Sequence, residues 1–189
     1  FEVLVVDAGN HSQEDQEYFK QLESSFEAFS LLTWDEPINR SKMANYAITE
    51  ADGEFFLFLN SDACILSNNA LDVLLRYFQS PEVAIVGPKQ LFVDGTIEHA
   101  GIVVGGSRVV TPLFRYLPST WHGYLDRARV AQNVSAVTGE CMMIRRSAYE
   151  KVGGFSEELA LFYADVDFCL KVRDAGYLTV YTPFVELSH

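Results

Sequence analysis

The chain has 189 residues, 49% of them hydrophobic and 13% aromatic, a globular composition with enough apolar material for a substantial core, which excludes an intrinsically disordered chain. Its formal net charge of −12 and pI near 4.6 exclude the basic face that a broad nucleic-acid footprint needs. They also set a condition on any anionic ligand: it must be met by a local cation, either a metal ion or clustered Lys and Arg. No apolar run approaches the roughly 18 residues of a membrane span, and no signal peptide is expected at the start. Cys64, Cys141 and Cys169 are widely spaced in apolar sequence and are expected to be buried thiols of a reducing compartment, not a disulfide or zinc site.

The first six residues, FEVLVV, are β-rich, and Asp7-Ala8-Gly9-Asn10 ends that strand. Ser12 and Asp15 have capping-box spacing and open a helix to about residue 27 with Tyr18, Phe19 and Leu22 on its inner face. A second strand is expected over 29–33. Ser41 is expected to cap a helix whose apolar stripe is Met43, Ala44, Ala47 and Ile48, closed by Gly53. Next comes FFLFL, residues 55–59, an uninterrupted apolar run of the kind that a strand covered on both faces of an α/β sheet presents. A helix over 70–79 starts at Asn69, and a strand over 83–86 stops at Gly87-Pro88. To this point the order is strand and helix in alternation, the pattern of a parallel sheet with helical crossovers.

The pattern then changes. Asp94-Gly95 signals a hairpin between 90–93 and 96–104. Residues 105–130 are long and irregular, with Trp121 and His122, and read as a loop region that shapes a site. Short strands are expected over 134–137 and 141–144, and a short helix over 147–152 is stopped by Gly153-Gly154. A last helix over 165–175 precedes a strand over 178–181. The expected organisation is a single domain over 1–189.

The candidate chemistry sits where apolar runs break into polar residues. Asn60-Ser61-Asp62 follows the 55–59 strand, at the carboxyl end where open α/β sheets place their ligands. A carboxylate there can hold a divalent cation, which can hold a phosphate; the same three residues also suit a plain turn. Asp7 closes the first strand in the same manner, and two strand-end acids are a better signal than one. Asp165 and Asp167 open the last helix, but residues two apart do not share a helix face. One would face a cleft and the other would cap or solvate the first turn, where the helix dipole favours a carboxylate. Arg145-Arg146 reads either as a phosphate ligand pair or as the exposed end of a strand. Four histidines without metal-type spacing make no case for zinc.

These motifs occur in a particular order. It runs from Val5-Val6-Asp7-Ala8-Gly9-Asn10 and Asn39-Arg40-Ser41-Lys42-Met43-Ala44-Asn45 to Phe58-Leu59-Asn60-Ser61-Asp62. It continues with Asp94-Gly95-Thr96-Ile97-Glu98-His99-Ala100-Gly101 and Thr138-Gly139-Glu140-Cys141-Met142-Met143-Ile144-Arg145-Arg146. Last come Val152-Gly153-Gly154-Phe155, Asp165-Val166-Asp167-Phe168-Cys169-Leu170 and Ala175-Gly176-Tyr177. The ordered set resembles a family 2 glycosyltransferase of the GT-A fold, of the rhamnosyltransferase-like, O-antigen and rhamnan biosynthesis type. The resemblance implies a Rossmann-like α/β three-layer sandwich with a mixed, mainly parallel central sheet.

It also implies an inverting transfer from a nucleotide-diphosphate sugar (UDP-, dTDP- or GDP-linked) to a hydroxyl of a glycan or lipid-linked glycan, at the cytoplasmic side of the membrane. Asp7, Asn39, Ser41, Asn60, Ser61 and Asp62 would contact the donor, and Asp62 with His189 would hold Mg²⁺ or Mn²⁺. Asp165 stands where the family carries its catalytic base, and Glu140, Trp121 and Asp167 are expected on the acceptor side. Three departures qualify the match. Asn60 is neutral where the family's metal motif has its first acid, Ala164 stands where Glu or Asn is common, and the family's opening strand is expected to precede residue 1. A non-catalytic carbohydrate-binding or scaffolding domain, or a metal-dependent nucleotidyltransferase, are the competing readings.

Overall fold

The computed structural model describes residues 1–9, 12–105 and 109–189. Asn10 of the first motif and residues 106–108 of the long loop lie outside the described residues. The chain forms two compact units, Phe1–Glu54 with Phe155–Ala164, and Phe55–Gly154 with Asp165–His189.

The first unit pairs β1 (Val3–Asp7) with β2 (Phe29–Thr33) in parallel, the two being joined through α1 (Gln13–Ser25). The capping box forms as the sequence requires, with Asp15 N–H donating to Ser12 Oγ at 3.2 Å and Ser12 N–H to Asp15 Oδ2 at 2.9 Å. Tyr18 is not on an inner face; it is 57% exposed, with its ring tilted toward that of Phe19. In α2 (Arg40–Glu50) the cap is Asn39, two residues earlier than expected, its Oδ1 accepting from Lys42 N–H at 3.0 Å. Ser41 falls inside the first turn, buried, and donates its hydroxyl to the Leu159 carbonyl at 2.7 Å. Asn39 donates its amide to Glu157 O at 2.8 Å, and Asn45 both donates to Phe155 O and accepts from Phe155 N–H at 3.0 Å. The polar residues of α2 thus fasten the returning segment of this unit. Gly53 lies past the helix, where its N–H and that of Asp52 donate to Glu2.

The second unit is built on a seven-stranded sheet ordered β3 (Phe55–Leu59), β10 (Cys141–Arg145), β5 (Val83–Leu91), β11 (Leu178–Ser188), β4 (Cys64–Ile65). β6 (Ile97–His99) adds to β5, and β9 (Gln132–Asn133) adds to β11. β3 is an edge of this sheet, paired antiparallel with β10, so it is not covered throughout. Phe56 is 7% exposed but Leu59 is 46% exposed. The sheet is mixed, but not mainly parallel. β5–β11 and, in the first unit, β1–β2 are parallel, while the other described pairings are antiparallel. The cause is β10, which enters between β3 and β5 without a helical crossover and therefore runs against both.

Gly87-Pro88 does not end a strand: β5 continues through it to Leu91. Glycine is needed there for close approach, since a Cβ would lie 2.6 Å from Val137 Cβ. β11 is longer than the expected strand because it too passes a proline, absorbing residues 183–185 in a bulge between Thr182 and Glu186. The hairpin at Asp94-Gly95 forms, with Gly95 at φ 82° and Asp94 Oδ1 accepting from Thr96 N–H. Residues 134–137 are not a strand; they contribute a single bridge, Ala136 to Ile102. β7 (Ile102–Val104) and β8 (Val110–Pro112) form a separate antiparallel pair, and a 3₁₀ turn follows at Tyr124–Asp126.

The core packs Leu74 and Phe78, on and just past α3 (Ala70–Tyr77), against Val86, Met143 and Val180 of the sheet. Cys141 and Cys169 are buried, and burial pushes both thiols up to about 12, which leaves them inert as nucleophiles. Cys64 is exposed, because it lies on the edge strand β4. α4 (Arg146–Val152) ends at Gly153 in the left-handed conformation, and α5 (Ala164–Asp174) follows. Arg145 donates to the carbonyls of Val83, Phe78 and Ser80. It belongs to the end of β10 opposite Glu140, so it is a structural fastening and not a phosphate ligand beside the acids.

Candidate active site

In the second unit, β3 breaks at Leu59 into the Asn60-Ser61-Asp62 turn, which is closed by Ala63 N–H to Asn60 O and anchored by Asn60 N–H to Glu140 O at 2.9 Å. β4 then pairs with the end of β11, Leu187 opposite Ile65 and Ser188 opposite Cys64. That pairing carries His189 to Asp62, with Nε2 3.4 Å from Asp62 Oδ1. The other ring nitrogen, Nδ1, lies 3.3 Å from Glu98 Oε2 and 3.9 Å from Glu140 Oε2. Glu98 comes from β6, and its other oxygen faces the Arg115 guanidinium at 3.9 Å. Asp62 is largely exposed, at 73% of its side chain, while Glu98 is at 13%.

Behind Glu140 runs a directed hydrogen-bond chain. His99 Nδ1 accepts from Gly101 N–H at 3.0 Å, so the ring proton sits on Nε2 and is donated to Thr138 Oγ1 at 3.2 Å. Thr138 Oγ1 also accepts from Gln90 Nε2 at 2.8 Å and gives its own proton to Glu140 Oε2 at 3.1 Å. A hydroxyl has one proton and two lone pairs, so Thr138 is fully committed. Burial, reinforced by Arg115, holds His99 down to about 3, and the ring is neutral. Burial, followed by the neighbouring Glu98 charge, pushes the Glu140 carboxyl up.

Asp165 opens α5 and accepts Gly139 N–H at 3.0 Å and Val166 N–H at 2.8 Å. Asp167, two residues on, turns away to pair with Lys171 at 3.2 Å, as the helix period requires. Asp165, Gly139, Glu140, His189 and Asp62 therefore form one continuous string of contacts. Trp121 is 41% exposed and packs edge-on against Phe114, outside that string. Asp7, Asn39 and Ser41 belong to the first unit, where Asp7 Oδ1 accepts Gly9 N–H at 2.9 Å and the other two hold the returning segment described above. Glu98 and Thr138 had drawn no role from their motifs. The signal available was an acid three residues past a hairpin glycine and a hydroxyl two before Glu140, and neither is informative until the sheet places them.

The donor set suits a hard divalent cation. Adjacent octahedral ligands ~2.1 Å from Mg²⁺ stand ~3 Å apart, close to the 3.4 Å between Asp62 Oδ1 and His189 Nε2. A second grouping, Glu98, Glu140 and His189, offers one ligand atom each within 4.8 Å. The site is otherwise acidic, so it can receive an anionic ligand only with a cation present.

The unit is α/β with a mixed sheet and acids gathered at strand ends, and the chain belongs to the glycosyltransferase like family 2, whose family model matches residues 2–189. It is 37% identical over its full length to the O-antigen biosynthesis protein RfbC of Myxococcus xanthus, spanning 15% of that protein. It is 30% identical over 63% of its length to the N-acetylglucosaminyl-diphospho-decaprenol L-rhamnosyltransferase of Mycobacterium tuberculosis, spanning 40% of it. Among solved structures, GalNAc-T7 with UDP, GalNAc and Mn²⁺ superposes with a TM-score of 0.74 at 14% identity, over the whole of this chain and 37% of that one; at that identity the likeness is one of fold. The chain spans between 15% and 40% of the length of the curated relatives it matches. Among the described residues no helix is long and apolar enough to cross a membrane.

Proposed function

We propose that this chain is the catalytic region of an inverting glycosyltransferase that moves a sugar from a nucleotide diphosphate to a hydroxyl of a growing cell-surface glycan, at the cytoplasmic side of the membrane. The observation that carries the reading is the continuity of Asp165, Gly139, Glu140, His189 and Asp62 within one unit. It puts a backbone-oriented carboxylate within the same contact string as a donor pair suited to a divalent cation. The M. xanthus relative, named for O-antigen biosynthesis, supports the glycan class of acceptor.

Asp165 is the general base. Its two backbone donors fix the carboxylate at the start of α5, and an acceptor hydroxyl, a poor nucleophile, loses its proton to it while attacking the anomeric carbon. A single displacement of this kind inverts that centre. Asp62 and His189 would hold Mg²⁺ or Mn²⁺, which when bound neutralises charge on the departing diphosphate. Asn60 and Ser61 line the same turn as donor contacts, and Asp7 serves the nucleoside. Glu140, held by Thr138, and Trp121, with its exposed ring, serve the acceptor side.

The test is calorimetric titration of UDP, dTDP and GDP into the full-length protein, with and without Mn²⁺. Manganese-dependent binding of one nucleotide is expected, and it names the donor class. Well-folded protein that binds none of the three under either condition overturns the reading in favour of a non-catalytic domain.

A further inference from the structure

The imidazole of His189 meets carboxylates through both nitrogens, Asp62 through Nε2 at 3.4 Å and Glu98 through Nδ1 at 3.3 Å. A neutral imidazole carries one N–H, so only one of these two contacts is a hydrogen bond from the neutral ring, and the other nitrogen presents a lone pair. We propose that Glu98 is a positioning residue: it accepts the Nδ1 proton of His189 and thereby turns the Nε2 lone pair toward the cation position beside Asp62. The proposal rests on the reading that Asp62 and His189 hold the divalent ion.

Several observations favour this tautomer. With the proton on Nε2, the Nδ1 lone pair would face two carboxylates, Glu98 at 3.3 Å and Glu140 at 3.9 Å. Glu98 is the acceptor of the two, because Glu140 Oε2 lies beyond hydrogen-bond distance of Nδ1 and already accepts from Thr138. Glu98 is also the better-fixed group. It sits on β6, its side chain is 13% exposed, and its second oxygen faces Arg115. Arg115 in turn lies over the rings of Phe92 and Tyr116, which stack 5.3 Å apart. Finally, an ion that takes a diphosphate must keep coordination positions open to solvent, and the exposed Asp62 side of the ring provides them where the Glu98 side does not. A carboxylate behind a ligating histidine of this kind fixes its orientation and raises its basicity.

The experiment pairs Mn²⁺ titration of the full-length protein, read by electron paramagnetic resonance, with ¹⁵N spectra of labelled histidine, the His189 signal being assigned by its loss in His189→Gln. Wild-type His189 is expected to be protonated on Nδ1. Glu98→Ala is expected to weaken Mn²⁺ binding about 10- to 100-fold and to move the ring toward Nε2–H. Glu98→Gln, whose carbonyl still accepts from Nδ1, is expected to restore the tautomer and part of the affinity. If Asp62→Ala loses Mn²⁺ while Glu98→Ala keeps both affinity and tautomer, the proposal fails and the metal reading stands. If Asp62→Ala keeps Mn²⁺ and His189 is found protonated on Nε2, the ion sits instead with Glu98 and Glu140, and both fail.

Discussion

Replacing His99 by Gln gives the most quantitative check on the buried network. His99 is 1% exposed, and burial, then Arg115, lowers it from 6.5 to about 3. A base whose folded-state value is depressed contributes stability fully above its unfolded value of 6.5 and loses it as pH falls from there toward 3. At pH 5 protonation of His99 in the unfolded chain lowers the folding stability by ~2 kcal/mol, against ~0.2 kcal/mol at pH 7, since a tenfold change in proton affinity is worth ~1.4 kcal/mol. Gln retains an N–H for Thr138 but does not titrate, so the variant lacks this contribution at either pH. Urea unfolding of both proteins at pH 7 and pH 5 is the assay. The wild type is expected to lose ~2 kcal/mol more than His99→Gln over that interval, whatever the variant costs at pH 7. Parallel losses in the two proteins would refute the claim that His99 folds as a buried neutral ring.

Three further outcomes follow from contacts described above. Gly87→Ala pushes a methyl to 2.6 Å from Val137 Cβ in the core, and is expected to cost ~1–3 kcal/mol as overpacking; Gly87→Ala with Val137→Gly, which removes the atoms met, should be more stable than the sum of the single changes predicts, measured by thermal melts. Asp165→Asn in the full-length protein should abolish transfer, with nucleotide affinity by calorimetry nearly intact; weakened donor binding instead would reject its role as base. Asp62→Ala should remove Mn²⁺-dependent nucleotide binding, and unchanged binding would sink its assignment.

Local chemistry was legible wherever a feature is satisfied within a few residues. The Ser12–Asp15 box, the Asp94-Gly95 turn and the Gly153 stop all form as their sequences dictate. Asp165 and Asp167 part company as a 3.6-residue period demands. Errors arose where a residue's reason lies far along the chain. Gly87 reads as a breaker until Val137 is seen against it, and Pro88 passes through β5 because the partner strand bulges there. Ser41 looks like a cap, but Leu159 takes its hydroxyl and Asn39 does the capping. The site divides in the same way. Asp62 is visible as a strand-end acid and His189 enters only through the family resemblance, whereas Glu98 acquires meaning only when β6 folds back on β5 and brings it to His189 Nδ1.

The bulge in β11 has a mechanical consequence. Up to Thr182 the strand is registered on β5, and after three residues outside that ladder it is registered again from Glu186 to Ser188. This last stretch is gripped on its other side as well, by β4 and by Leu66 N–H to Glu186 O. The bulge is itself pinned, with Val185 buried in the core beside Val180 and Phe184 N–H donating to Thr182 Oγ1. The spacing between His189 and Asp62 is thus set by the two-sided grip on the last three residues of the strand.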